Sequence, residues 1–214
     1  MKARGFERHL VIMARVPRLC QGKRRLARDL GELATWRFQR RQLDGLLRRL
    51  NRPGCWRLWL CLTPDQLDLP SDIPLPSGAR ILRQGRGDLG QRMARPFRRL
   101  PPGPLVMIGA DIPGIEADDV RQAFRCLGRR PWVFGPADDG GYWLIGAQRR
   151  PVAPAAMRLP FDGVRWGSSH ALGDTRGNLA SKDVALLREL IDVDTATDLA
   201  RVTRRRADAP SAAA

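Results

Sequence analysis

Histidine, lysine and tyrosine are all scarce in this chain of 214 residues. His9 and His170 are the only histidines, and neither has the companions of a nucleophilic triad. Any catalysis must therefore rest on carboxylates, arginines, lysine or a metal. Cys20, Cys55, Cys61 and Cys126 make no Cys-x-x-Cys pair and have no histidine at ligand spacing. Neither a zinc site nor a disulfide framework is signalled, and the four read as thiols in a reducing cytoplasm. Long hydrophobic runs are missing too. The apolar stretch at residues 10–14 falls short of the ~7–15 residues of a signal-peptide core, and nothing approaches the ~20 of a membrane span. No phosphate loop of the Gly-x-x-x-x-Gly-Lys-Ser/Thr type occurs, which excludes an ATPase of that kind. A soluble cytoplasmic protein is expected.

What the chain has in excess is positive charge, +16 at neutral pH with an isoelectric point near 11.4. Lysine appears only at positions 2, 23 and 182, and the rest of the basic excess is arginine, scattered without one dense block. That pattern describes a composition bias more than a stripe built for duplex nucleic acid. No nucleic-acid partner is expected, while attraction for a polyanionic small molecule such as a nucleotide remains compatible. The length suits one well-filled core. A single domain over residues 1–203 is expected, with a frayed tail at residues 204–214.

Along the chain, "HLVIMA", "CWRLWLCL", "ARILRQ" and "LVMIGA" read as strands, followed by "WVFG" and "YWLIGA". Apolar spacing predicts helices over residues 32–50, 89–100 and 116–127. Strands alternating with helices imply an α/β fold with a mostly parallel sheet and helices on both faces. The strand pair around "DDGG" implies a small β excursion. Ligands of such sheets gather beyond the carboxyl ends of the strands. Three segments at those ends are unusual: "RVPRLCQGKRR", "QGRGDLGQRM" and "GADIPGI".

Each of these has two readings. The first loop carries Arg15, Lys23, Arg24 and Arg25, which would neutralise a diphosphate or form an ordinary solvated basic loop. Gly85, Gly87 and Gly90 have the Gly-x-Gly-x-x-Gly spacing of a dinucleotide site, yet follow the third strand; a tight turn with Asp88 capping the next helix explains them as well. Asp111, at the end of an apolar strand, suits a hard cation such as Mg²⁺ or a plain turn. Asp194, in "DVDTATDL", is a second metal candidate or a helix cap with Asp198 completing a box-like pair.

Taken in order, "VPRLCQGKRRLA", "QGRGDLGQRM", "IGADIPGI", "GPADDGGYWLIGA", "FDGVRWGSS" and "DVDTATDL" resemble a bacterial family of GT-A-like nucleotide-diphospho-sugar transferases, often labelled glycosyltransferases, some for arsenosugar biosynthesis. The resemblance spans residues 10–199. It implies a GT-A fold and a glycosyltransferase using Mg²⁺ or Mn²⁺, a nucleotide sugar and an acceptor that is a small molecule or a lipid. It places Arg15, Lys23, Arg25, Gln84, Gly87, Asp88 and Arg92 around the nucleotide, and Asp111 and Asp194 at the metal. Lys23, Arg25 and Leu26 fall on the family's Lys-Thr-Arg-Leu pattern, with Arg24 in place of threonine and Cys20 where glycine is usual. Asp139 would then face the cleft and orient or deprotonate an acceptor hydroxyl. Asp138 would face solvent. Gly140 and Gly141 would let the backbone approach substrate, and Tyr142 or Trp143 would line the sugar or acceptor side. A nucleotidylyltransferase acting on a nucleoside triphosphate uses the same fold and aspartates, so it stands as the alternative. A binding module without catalysis is the third reading.

Overall fold

The computed structural model of the protein describes residues 6–71, 73–149, 158–180 and 183–207. Four apolar segments form parallel strands side by side: β1 (His9–Arg15), β2 (Arg57–Thr63), β3 (Arg80–Arg83) and β4 (Leu105–Gly109). The near-continuous apolarity of β1, β2 and β4 follows from coverage on both faces, whereas β3, at the sheet edge, has no buried residue. β5 (Trp132–Pro136) and β6 (Tyr142–Ala147) form the expected excursion, β6 running antiparallel to both β4 and β5. A short strand, β7 (Val184–Leu186), adds parallel to β5. The seven strands lie in the order β3-β2-β1-β4-β6-β5-β7.

Helices α2 (Glu32–Leu50), α3 (Leu89–Arg99) and α4 (Ala117–Leu127) occupy the spans that their spacing predicts. Their apolar sides close two core layers. Leu43, Leu46 and Leu47 of α2 join Phe124 of α4 over one face of the sheet, and Met93 and Phe97 of α3 cover the other. Asp88 caps α3 by accepting a hydrogen bond from the Gln91 amide at 2.7 Å.

Three stretches depart from the sequence expectation. The basic first loop contains a helix, α1 (Arg24–Leu30), whose only buried residue is Leu26; one apolar position in seven residues leaves no periodicity to read. A second short helix, α5 (Ala171–Gly177), follows the "FDGVRWGSS" segment. The frayed tail expected from residue 204 is corrected for residues 204–207, which continue α6 (Ala196–Ala207); residues 208–214 lie outside the described residues. The start of α6 is tied down by Asp29 of α1, which accepts from the Ala196 amide at 3.0 Å. Leu26, Ile191, Val193 and Val202 form a third small core that joins α1 to the end of the chain.

β1 sits between β2 and β4, and the helices that follow β1 and β3 cover opposite faces of the sheet, so the winding reverses between β1 and β4. A crevice opens at that switch point, beyond the carboxyl ends of the strands. Two loops form its far side. Ala137 pairs with Leu190, and Asp138 donates its amide to the Leu190 carbonyl at 3.1 Å. The β5–β6 turn also packs on the segment before α5, because Gly140 has φ +85° and a Cβ there would meet the Ser169 carbonyl oxygen at 2.3 Å. Gly140→Ala is therefore expected to cost about 2–4 kcal/mol, through left-handed strain and backbone displacement together, read as a lowered urea midpoint.

Candidate functional site

β1 ends at Arg15, and the loop that follows returns under the crevice through residues held in left-handed conformation, Cys20 (φ 60°), Gly22 (φ 79°) and Lys23 (φ 37°). The tight path turns the Lys23 side chain inward, where it is only 7% exposed. Its ammonium donates to the Val193 carbonyl at 2.7 Å, to Asp194 Oδ1 at 3.3 Å and to Asp192 Oδ1 at 3.5 Å. Burial works against the charge on Lys23, but the carboxylates of Asp111, Asp192 and Asp194 outweigh it and hold its pKa above the ordinary value. Asp111 reaches the same place from the turn after β4, where the Ala110 amide bonds the Met13 carbonyl at 3.0 Å.

These groups line a cavity of about 410 Å³ with Arg15, Arg24 and Arg25 on its basic side. The volume falls within the ~300–1,000 Å³ usual for ligand pockets. Among the described residues, none of these three arginines is held in an ion pair.

Asp111 and Asp194, far apart in sequence, thus meet in one cavity. The helix-cap reading of Asp194 is not what forms: Thr195 and Asp198 cap α6 reciprocally, Asp198 Oδ2 accepting from the Thr195 amide at 3.0 Å and Thr195 Oγ1 from the Asp198 amide at 3.2 Å. The Asp194 carboxylate is left for the cavity.

The GDLG segment behaves differently. Gln84 is buried and spends its amide donors on the carbonyls of Ala14 at 3.1 Å and Cys61 at 3.0 Å. Arg92 turns back to the Gly87 carbonyl at 2.8 Å, while Asp88 caps α3. Gln84, Gly87, Asp88 and Arg92 are absent from the lining of the 410 Å³ cavity, and their hydrogen bonds shape the turn after β3.

A second cavity, of about 200 Å³, opens over β4 and β6 and is lined by Asp139, Gly141, Tyr142, Trp143 and Trp166 among others. Asp139 Oδ1 accepts from the Gly141 amide at 2.8 Å, which fixes the carboxylate at the cavity edge. The same turn makes two contacts within the chain that its sequence does not show. Gly140 makes its close approach to the chain's own backbone at Ser169. Asp138 is exposed, as expected, and also ties two segments together: its Oδ1 accepts from the Asp192 amide at 3.3 Å and its Oδ2 meets Arg201 at 3.0 Å.

Asp192 is the residue that sequence reasoning missed. It lines both cavities and is their common wall. Its signal lay in "IDVD": Ile191 and Val193 are buried at 4% and 0% exposure, so the alternating Asp192 and Asp194 face the other way. Burial pushes the Asp192 carboxyl up to about 6, opposed by Lys23 and reinforced by Asp194, Asp111 and Asp139. Three carboxyl groups, those of Asp111, Asp192 and Asp194, surround one lysine here, and every acidic donor is a hard oxygen, which fits a hard divalent cation. Among the described residues, no three carboxylate, histidine or cysteine side chains are placed to hold an ion. Any such ion would need oxygens of a ligand to complete its shell.

The fold and crevice define a class, the GT-A-like α/β proteins with a mostly parallel sheet. More narrowly, the chain belongs to the family DUF2064, described as an uncharacterized protein conserved in bacteria, whose model matches residues 46–168. No curated protein matches significantly. Among solved structures, a protein of Desulfovibrio desulfuricans G20, provisionally named a nucleotide-diphospho-sugar transferase, is 27% identical over 95% of this chain and 89% of its own, with a TM-score of 0.82. The 4-diphosphocytidyl-2C-methyl-D-erythritol synthase of Anaerococcus prevotii is 12% identical, covering 94% of this chain and 96% of its own, with a TM-score of 0.61. Glucosyl-3-phosphoglycerate synthase of Mycobacterium tuberculosis, solved with Mn²⁺, UDP and glucosyl-3-phosphoglycerate, is 10% identical over 93% of this chain and 76% of its own, with a TM-score of 0.54. The last two share the fold. No helix among the described residues is long and apolar enough to cross a membrane.

The raised value of Asp192 has a measurable sign. Folded Asp192 binds its proton more tightly than the unfolded carboxyl, whose pKa is ~3.9. That stabilisation is fully present below about pH 4 and is lost as pH rises through about 6. Relative to Asp192→Asn, the native protein should lose on the order of 2–3 kcal/mol between about pH 4 and pH 7, measured by urea unfolding in metal-free buffer.

Proposed function

We propose that the protein is a transferase that moves the glycosyl group of a nucleotide-activated sugar to an acceptor, with Mg²⁺ or Mn²⁺ assisting. The observation that supports this reading most is the pair of adjoining cavities. One is basic and large enough for a nucleoside diphosphate. The other carries Asp139 on its edge, with Asp192 between the two.

Arg15, Lys23 and Arg25 bind the diphosphate, the guanidinium groups pairing with phosphate oxygens through charge-assisted hydrogen bonds. Asp111 and Asp194 are the residues that would hold the cation. A divalent cation bound there neutralises charge on the departing diphosphate. Gly141 and Tyr142 bound the substrate on the side of the second cavity. Asp139, oriented by the Gly141 amide, accepts the acceptor's hydroxyl proton. The acceptor oxygen then bonds to the anomeric carbon, and the sugar–phosphate bond breaks with its electron pair going to the nucleoside diphosphate. Gln84, Gly87, Asp88 and Arg92 support this site from the turn after β3.

Nucleotidyl transfer is the competing reading, favoured by the TM-score of 0.61 to a diphosphocytidyl synthase. Product analysis separates them: glycosyl transfer releases nucleoside diphosphate, nucleotidyl transfer releases pyrophosphate.

A thermal-shift panel of sugar nucleotides and triphosphates, with and without Mg²⁺ or Mn²⁺, tests the assignment. A ligand at 100 times its Kd stabilises by roughly 2.7 kcal/mol. Stabilisation by no nucleotide would refute the reading. Asp139→Asn should keep nucleotide affinity while slowing turnover by about 10²–10⁴-fold, measured by steady-state kinetics once the substrate is found. Asp111→Asn should abolish the gain in nucleotide affinity that metal brings. Adding Asp194→Asn should change little further, because both act through one ion; calorimetric titration of the folded variants reads this out.

A further inference from the structure

The two cavities differ in chemistry more than a shared substrate requires. Basic side chains crowd the first, whereas the second has no lysine, arginine or histidine in its lining. Its walls are built from Met13, Met93, Met107, Ile145, Tyr142 and Trp166. Most of the polar groups that do reach this wall are already engaged. The Trp143 indole donates to the Arg188 carbonyl at 3.1 Å. Ser168 Oγ donates to the Arg165 carbonyl at 2.7 Å and accepts from the His170 amide at 3.3 Å. The Tyr142 hydroxyl is paired with Thr175 Oγ1 at 3.4 Å. The side-chain groups that remain for a ligand are the carboxylate oxygens of Asp139 and Asp192 and the indole N–H of Trp166.

A sugar entering this space would strip its hydroxyls of water with few partners to replace it, at a cost of ~1–3 kcal/mol for each unpaired group. A phosphorylated polyol would meet two carboxylates and no cation. An apolar body gains from burial instead, and methionine walls adapt to its shape. The volume sets its size: a dry cavity of about 150 Å³ accepts benzene, and this one holds about 200 Å³.

We propose that the second cavity is the acceptor site and that it takes a neutral alcohol with a compact apolar body, aromatic or branched aliphatic, its hydroxyl turned toward Asp139 and Asp192. The word acceptor rests on the transferase reading above; the affinity for such an alcohol does not. Gly109, at the end of β4, lines this cavity and not the first. A Cβ there meets nothing within 4 Å and the backbone is not left-handed, so a side chain at 109 would fill the cavity without displacing the fold.

Calorimetry and ligand-observed NMR on the full chain, with benzyl alcohol, cyclohexylmethanol, glucose and glycerol 3-phosphate as probes, test the inference. Benzyl alcohol and cyclohexylmethanol are expected to bind saturably, with glucose and glycerol 3-phosphate at least tenfold weaker. Gly109→Leu should weaken benzyl alcohol at least tenfold. Met93→Ala, which enlarges the cavity, should shift preference toward 2-naphthylmethanol. Equal binding of glucose or glycerol 3-phosphate, or benzyl alcohol binding indifferent to both substitutions, would overturn it. Nucleoside diphosphate affinity, measured in parallel, keeps the two readings apart. Nucleotide binding without alcohol binding sinks only the acceptor assignment, and alcohol binding without any nucleotide response sinks only the transferase reading.

Discussion

The buried ammonium of Lys23 is the interaction on which the crevice depends. It reaches across 171 positions of sequence to Asp194 and also takes the Val193 carbonyl. By doing so it sets the loop after β1 against the segment before α6. Burial alone would discourage a charged lysine there, and the surrounding carboxylates reverse that preference. The balance is conditional: at Asp192 burial, reinforced by Asp194, Asp111 and Asp139, outweighs the lysine and raises the carboxyl. The cavity sets Asp111, Asp192 and Asp194 beside Arg15, Arg24 and Arg25. Its geometry is kept by one lysine standing among the acids.

The loop bearing Asp192 and Asp194 is held from behind as well. Arg188 grips Asp119 with two hydrogen bonds of 2.7 and 2.8 Å and takes the Gly114 carbonyl at 2.9 Å. Asp119 at the same time completes the capping box of α4 by accepting from the Glu116 amide at 2.8 Å. A single carboxylate thus links the start of α4 to the chain after β7. Asp138 supplies a second tie through the Asp192 amide and Arg201. These contacts belong to a rigid backing, and the residues facing the cavities are left for ligand.

Segregation of charge between the cavities follows from the topology. The basic loop leaves β1 on one side of the switch point. The β5–β6 excursion, whose antiparallel pairing brings an aromatic strand next to β4, walls the other side with Tyr142, Trp143 and Ile145, which meet Met13 of β1, Met93 of α3 and Met107 of β4. Asp192 lies where the two meet.

Local sequence determined much of this protein. Alternating apolar runs and helical spacing defined β1 to β6 and α2, α3 and α4, because burial on both faces of a parallel sheet leaves a strong signal over each strand. The strand-end rule likewise singled out Arg15, Lys23 and Asp111, and the "DVDTATDL" segment pointed to Asp194. Only the tertiary structure could decide how side chains with two readings would be used. Thr195 took the helix cap and released Asp194; Gln84 turned inward to bond Ala14 and Cys61; Gly140 packed on Ser169; Asp138 became a tie. Each of those outcomes depends on a partner distant in sequence, and a hydrogen bond or charge pair leaves no periodicity in the chain that makes it. Asp192 marks the boundary, since its alternation with two buried neighbours was legible in the sequence while its place between two cavities was not.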